Sequence, residues 1–257
     1  MRERLSICLI ATSLLLILAS TGKFEAETSP VSLPELKVHR LPHSLAIWSE
    51  KNSSDDYFLQ IKSTPVGYLV WSSFPIKYYL DRPVNFDQNV ASDLRFLNWV
   101  NAVSIAIEEW NKYLPLQEVN NSAQADLIIK RKRPNLREII DPETGETKLT
   151  RARTALTSYE FYLQETEENS SILAHRMTVE LSPGMSERQT LATARHEIGH
   201  ALGIWGHSQQ ESDALYYSQV ANPPAISPRD INTLKKIYQQ PTRLGWSVVR
   251  EQKSTKR

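Results

Sequence analysis

His196, Glu197, His200, Gly203 and His207 constrain this chain more than any other group of residues in it. They fall in the run His196-Glu197-Ile198-Gly199-His200-Ala201-Leu202-Gly203-Ile204-Trp205-Gly206-His207. Two histidines four apart lie one above the other on a helix face, so both imidazoles can reach one metal ion. Gly203 tolerates the positive backbone angle that ends a helix and turns the chain back, which lets His207 rise as a third nitrogen ligand. Three histidines leave the fourth tetrahedral position for water, the arrangement of a catalytic zinc rather than a closed structural one. Glu197 follows the first ligand by one residue, about 100° around the helix, so its carboxylate leans over that open position. Half of the six histidines lie within twelve residues, which core packing would not bring about.

Over Ala194 to Tyr217 the chain resembles the metzincin zinc peptidases, and within them the matrixin branch. The family pattern is H-E-x-x-H-x-x-G-x-x-H, then Ser, then a short loop to Ala-Leu-Met-Tyr. Matching positions are His196, Glu197, His200, Gly203, His207, Ser208, Ala214, Leu215 and Tyr217. Two departures stand out. One residue is added between Gly203 and His207, and Gly206 is placed to absorb it. Tyr216 stands where the family has the methionine of its turn beneath the metal. That change implies a larger, more polar floor, and a hydrogen-bond partner for the phenol if it is buried. A thermolysin-like third ligand would need a glutamate where Val220 stands, and nothing recommends Glu211 or Asp213 over His207.

The resemblance implies an α+β fold of the zincin type: a twisted mixed β-sheet, a long backing helix, an active-site helix and a C-terminal helix. It implies a zinc-dependent metalloendopeptidase acting on polypeptide, with one catalytic Zn2+ on His196, His200 and His207 and Glu197 as general base. Tyr217 and Tyr216 would shape the pocket for the residue after the cleaved bond. Residues 174–180, beginning at Ala174, would form the edge strand along the cleft. Two other readings stay open: a catalytically silent binding module stabilised by zinc, and a zinc amidase acting on non-protein amides. The intact Glu197 speaks against the first; water activation is the same for amidase and peptidase.

Arg2, Glu3 and Arg4 precede an apolar run from Leu5 to about Ser20. It is short for a membrane span but fits a secretory signal peptide, with Ala19, Ser20, Thr21 and Gly22 offering a cleavage site. The rival is an uncleaved anchor, so an exported chain is expected, attached to a membrane only if the segment stays. Cys8, the one cysteine, lies in this run. A mature chain without it has no disulfide scaffold and no cysteine latency switch of the vertebrate matrixin kind. A net charge of +1 over 257 residues gives no case for nucleic acid, and a monomer is expected. The expected divisions are 1–22 signal or anchor, 23–70 N-terminal extension, 71–240 catalytic domain and 241–257 basic tail.

Residues 28–70 are punctuated by Pro30, Pro34, Pro42 and Pro65 and read as an extended arm packed on the catalytic domain. The alternative is a propeptide that sends His39, His43, Asp55 or Asp56 to the metal. Strands are expected at 76–80, 125–130, 154–163 and 171–181. A helix is expected over 93–113 from the stripe Leu94, Leu97, Val100, Val103, Ile107 and Trp110. Asp141-Pro142-Glu143-Thr144-Gly145-Glu146 has hairpin-turn chemistry and lacks the alternating carboxylates of a dedicated calcium loop. The flanking Lys130, Arg131, Lys132, Arg133, Arg137, Arg151 and Arg153 read as a solvated basic face. His175 has no companion ligands and reads as a non-metal residue. Ser186 and Gln189 have capping-box spacing at the start of the metal helix, and Ser227-Pro228 starts another. The tail from Arg243 is expected to be mobile.

Overall fold

The computed structural model describes residues 31–49, 55–136, 138–140, 144–149, 152–166 and 170–250. In chain order the elements are β1 (Val31–Ser32), α1 (His43–Ile47), β2 (Ile76–Leu80), α2 (Ala91–Asn111), β3 (Leu116–Glu118), β4 (Leu127–Lys130), β5 (Glu138–Ile140) and β6 (Thr147–Leu149). Then follow β7 (Ala155–Glu165), β8 (Ser171–Leu181), α3 (Glu187–Ala201), α4 (Pro228–Tyr238) and β9 (Val249–Arg250). The signal or anchor run with Cys8, residues Arg137, Arg151 and 141–143, and the end of the tail from 251 lie outside the described residues.

Five strands form the main sheet in the order β3-β2-β4-β8-β7. All neighbours are parallel except β7 and β8, which pair antiparallel over their full length from Ala155↔Leu181 to Glu165↔Ser171. β8 alternates buried residues (Leu173, Met177, Val179, Leu181) with half-buried ones, as a strand with one face on the core and the other partly open does. That placement corrects the expected cleft edge. β8 is hydrogen-bonded on both sides, and β7 is the edge strand at this end of the sheet, with β3 at the other. The small hairpin β5–β6 pairs Glu138 with Leu149, and Gly145 between them takes φ +71° as turn chemistry requires.

Helix α2 buries Trp99, Val100, Ala102, Val103, Ala106, Ile107 and Trp110 and packs chiefly against α3. The expected stripe therefore holds from Val100 onward, while Leu94 and Leu97 stay exposed.

The arm is not merely laid on the surface. Tyr57, Ile61, Val66, Leu69, Val70 and Trp71 belong to the same core as α3 and α4. The Trp71 indole donates to the Ala201 carbonyl at 3.0 Å, and the Tyr238 hydroxyl donates to the Leu202 carbonyl at 3.0 Å. The first part of the expected tail is also fixed. Thr242 and Leu244 are buried, Thr242 bridges to Lys37 and Gly67, and Trp246 stacks on His39 at 4.2 Å. Apolar and aromatic side chains at 244 and 246 hold this stretch down despite the basic residues around them. Among the described residues no helix is long and apolar enough to cross a membrane.

Candidate metal centre

Ser186 and Gln189 cap α3 reciprocally: the Ser186 hydroxyl accepts from the Gln189 amide N–H at 3.3 Å, and the Ser186 N–H donates to Gln189 Oε1 at 3.1 Å. Thr190, Ala194, Ile198 and Ala201 turn inward at helical spacing. The opposite side of the helix is then left to His196, Glu197 and His200. Arg195 ties α3 to α2 through a fork to Glu109, at 2.5 and 2.7 Å, while Trp110 donates its indole N–H to the Arg195 carbonyl at 2.9 Å.

Beyond Ala201 the helix stops at Gly203, whose φ of +124° brings the chain back. A β-carbon there would stand 2.5 Å from the Leu69 carbonyl oxygen, so only glycine serves. The turn continues through Ile204 and Trp205 to Gly206. A β-carbon on Gly206 would overlap the Gln60 carbonyl, and the Lys62 N–H donates to the Trp205 carbonyl at 3.0 Å. The added residue of this turn is therefore seated against residues 60–62 of the arm.

The three expected ligands, His196, His200 and His207, come together. One nitrogen from each lies within 4.8 Å of the others, and theirs is the only such metal-competent cluster among the described residues. His196 Nδ1 lies 2.9 Å from the Ala214 carbonyl, and His200 Nδ1 lies 2.7 Å from the Ile204 carbonyl. A carbonyl only accepts, so each Nδ1 carries the proton and each Nε2 is a bare lone pair. The two Nε2 atoms face each other at 3.1 Å. Two nitrogens sharing a tetrahedral zinc at about 2.05 Å stand about 3.3 Å apart, so the His196–His200 pair matches that spacing, with the His207 nitrogen within 4.8 Å of both. Burial first, then the neighbouring His200 charge, lowers the His196 pKa to about 4; burial lowers that of His200 to about 4. Burial and then Lys62 lower that of His207. All three are neutral imidazoles near pH 7, as ligands must be.

Glu197 lies beside them, with its Oε2 2.6 Å from the Thr157 hydroxyl of β7. Burial raises its pKa, opposed by His196, by the Thr157 hydrogen bond and by Arg153. Two cavities of about 520 Å³ each open at this point, and His196, Glu197, Arg153, Ala155 and Tyr217 line both. One reaches between α3 and the loop carrying Tyr216, Val220 and Pro223; the other runs over His200, His207 and Trp205.

The loop from Ser208 to Tyr217 is pinned from beneath. Asp230, at the third position of α4, accepts from the Ala214 N–H at 2.9 Å, the Leu215 N–H at 3.4 Å, the Ser227 N–H at 2.7 Å and the Tyr57 hydroxyl at 2.5 Å. Since Ala214 also accepts from His196, this carboxylate steadies the first ligand at one remove. Buried Asp213 accepts from Ser208, from Ser227 Oγ at 2.6 Å and from Arg229 Nε at 3.1 Å.

Of the remaining expected residues, Tyr217 and Tyr216 line the first cavity, with ring centroids 4.6 Å apart. Tyr216 does not form a polar floor. Leu215 is the fully buried residue of this turn, packed against Gly199 of α3, while the phenol of Tyr216 stays on the wetted wall where its hydroxyl costs nothing. Ala174 sits in interior strand β8 opposite Tyr162 and lines neither cavity. His39 pairs with the Leu244 carbonyl, Asp55 with Arg229 and Asp56 with Lys236, away from the three ligands. Buried His175 stacks on Trp71 at 3.9 Å. Sequence reasoning missed Thr157, Arg153, Lys62, Trp205, Asp213 and Asp230. Only Asp230 carried a local signal, as the third helical residue after the Ser227 cap.

Residues 84–239 match the family model described as Matrixin, and no curated protein matches the chain. With more than half its length matched and three histidine nitrogens converging, the chain belongs to the matrixin family of zinc metallopeptidases.

Proposed function

We propose that this chain is an exported endopeptidase that hydrolyses internal bonds of extended polypeptide, with His196, His200 and His207 holding zinc and Glu197 as general base. The observation that carries the proposal is the Glu197 carboxylate, tethered by Thr157 beside the bare nitrogens of the cluster and lining both cavities. A site built only to staple the fold has no use for an acid there.

Zinc on these nitrogens supplies Lewis acidity, bringing the pKa of a bound water towards about 7 and polarising a carbonyl. Thr157 occupies Oε2 and sets the carboxylate's orientation, leaving Oε1 to accept the proton of the attacking water and hand it to the departing amine. The free edge of β7 accepts the peptide as an added strand, which presents successive side chains to alternate faces. Tyr216 and Tyr217 wall the cavity that receives the side chain after the cleaved bond. Export is read from the apolar run at 5–20 with its charged start.

The zinc-loaded chain should cleave a denatured protein, and a zinc chelator should abolish cleavage. Glu197→Ala should keep zinc and lose activity. Cleavage by Glu197→Ala at the wild-type rate would rule out its role as base.

A further inference from the structure

Among the described residues, Lys62 and Arg153 are the two exposed cations lining the cleft. Arg153 lies two residues ahead of β7 and lines both cavities; Lys62 comes from the arm and lines the one over His207. Neither forms an ion pair with a described residue. Among the described residues, the only carboxylates lining either cavity are Glu197, needed for chemistry, and Asp213, fully buried and held by Ser208, Ser227 and Arg229. The exposed charge among the described lining residues is therefore positive on two walls, set by elements far apart in the chain; exposed Glu211 bonds to Tyr216 and lines neither cavity.

We propose that Lys62 and Arg153 make this cleft selective for acidic peptides, binding aspartate or glutamate side chains close to the scissile bond and rejecting lysine and arginine there. The inference rests on the peptidase reading. A low-dielectric cleft lined by one sign of charge concentrates the opposite sign and repels its own. Exposed cations are screened by salt, so the selectivity weakens as ionic strength rises. Arg153 also acts on Glu197, as its influence on that carboxyl shows. A change in turnover alone would therefore be ambiguous. The ratio between two peptides cancels the common effect on the base.

The test compares kcat/KM of the zinc-loaded chain on paired peptides that differ only in Asp/Glu against Lys/Arg beside the cleaved bond. The acidic member should be favoured about tenfold at low salt, with the ratio shrinking towards one between about 0.01 M and 1 M salt. Arg153→Glu and Lys62→Glu should each lower the ratio, and the double variant should invert it. Fluorescence anisotropy of the labelled acidic peptide on Glu197→Gln should show the same order of binding without turnover. Cleavage with no charge preference, or a ratio unmoved in the double variant, overturns the inference and leaves the peptidase reading intact. No cleavage of any peptide by a zinc-loaded chain overturns both.

Discussion

His175 and the cluster of His196, His200 and His207 pose the same chemical question and receive opposite answers. Burial drives the His175 pKa down to about 3 and those of His196 and His200 to about 4, so all of these are neutral rings. In the cluster, backbone carbonyls of Ala214 and Ile204 hold two Nδ1 atoms and aim bare Nε2 atoms at one another. His175 instead lies flat on Trp71 with its Nε2 unpartnered. A neutral buried imidazole is therefore not enough to make a ligand; convergence with a fixed tautomer is. The cluster is built for a cation between its nitrogens, whereas His175 is a packing residue carrying an unsatisfied polar atom.

The largest expected difference between the two is in zinc. His207→Ala should lose most of its zinc under dialysis, with affinity down at least about 100-fold for a lost direct ligand, while His175→Leu should retain full occupancy by elemental analysis. Equal zinc content in both variants would erase the distinction.

A smaller effect is expected where the arm supports the cluster. Gly206→Ala sets a methyl against the Gln60 carbonyl and should cost about 1–3 kcal/mol of stability and weaken zinc binding. Gly184→Ala meets nothing within 4 Å and serves as its neutral counterpart in the same chain. Thermal melts with and without zinc would separate them. Identical melts would show that the ligand turn does not depend on residues 60–62.

The smallest effect is a pH dependence belonging to His175. Its folded pKa of about 3 lies below the ordinary 6.5, so between those values the unfolded chain binds the extra proton. Stability is then lost as pH falls through that window, by at most about 1.4 kcal/mol per pH unit. His175→Leu removes this one slope while leaving the zinc histidines in place. The melting-temperature difference between variant and wild type, followed from pH 7 to about 5, should shift in favour of the variant. A constant difference would mean that His175 titrates alike folded and unfolded.

The metal helix was legible because its signals are local. Ser186 and Gln189 mark its start, His196 and His200 share a face by period alone, and Gly203 marks the turn. The strand exchange was not legible. β7 and β8 have similar composition, and which of them is the edge depends on β4 choosing β8 as its neighbour, a pairing about fifty residues apart in sequence. The supports of the site were hidden for the same reason. Tyr57 reaches Asp230, Gly206 meets Gln60 and Thr157 reaches Glu197, each across a separation that no spacing rule spans. Tyr216 misled because the family pattern assigns its position a buried role. A phenol is better placed on a wet wall, and Leu215 fills the buried place next to it.

Zinc K-edge absorption spectroscopy on the purified, zinc-loaded chain tests the centre most directly. Three imidazole nitrogens and one oxygen at about 2.0–2.1 Å are expected, the same in Glu197→Gln and with one imidazole fewer in His207→Ala. A wild-type spectrum with only two imidazoles, or one in which Glu197→Gln loses a ligand, would contradict a three-histidine site with a free carboxylate beside it.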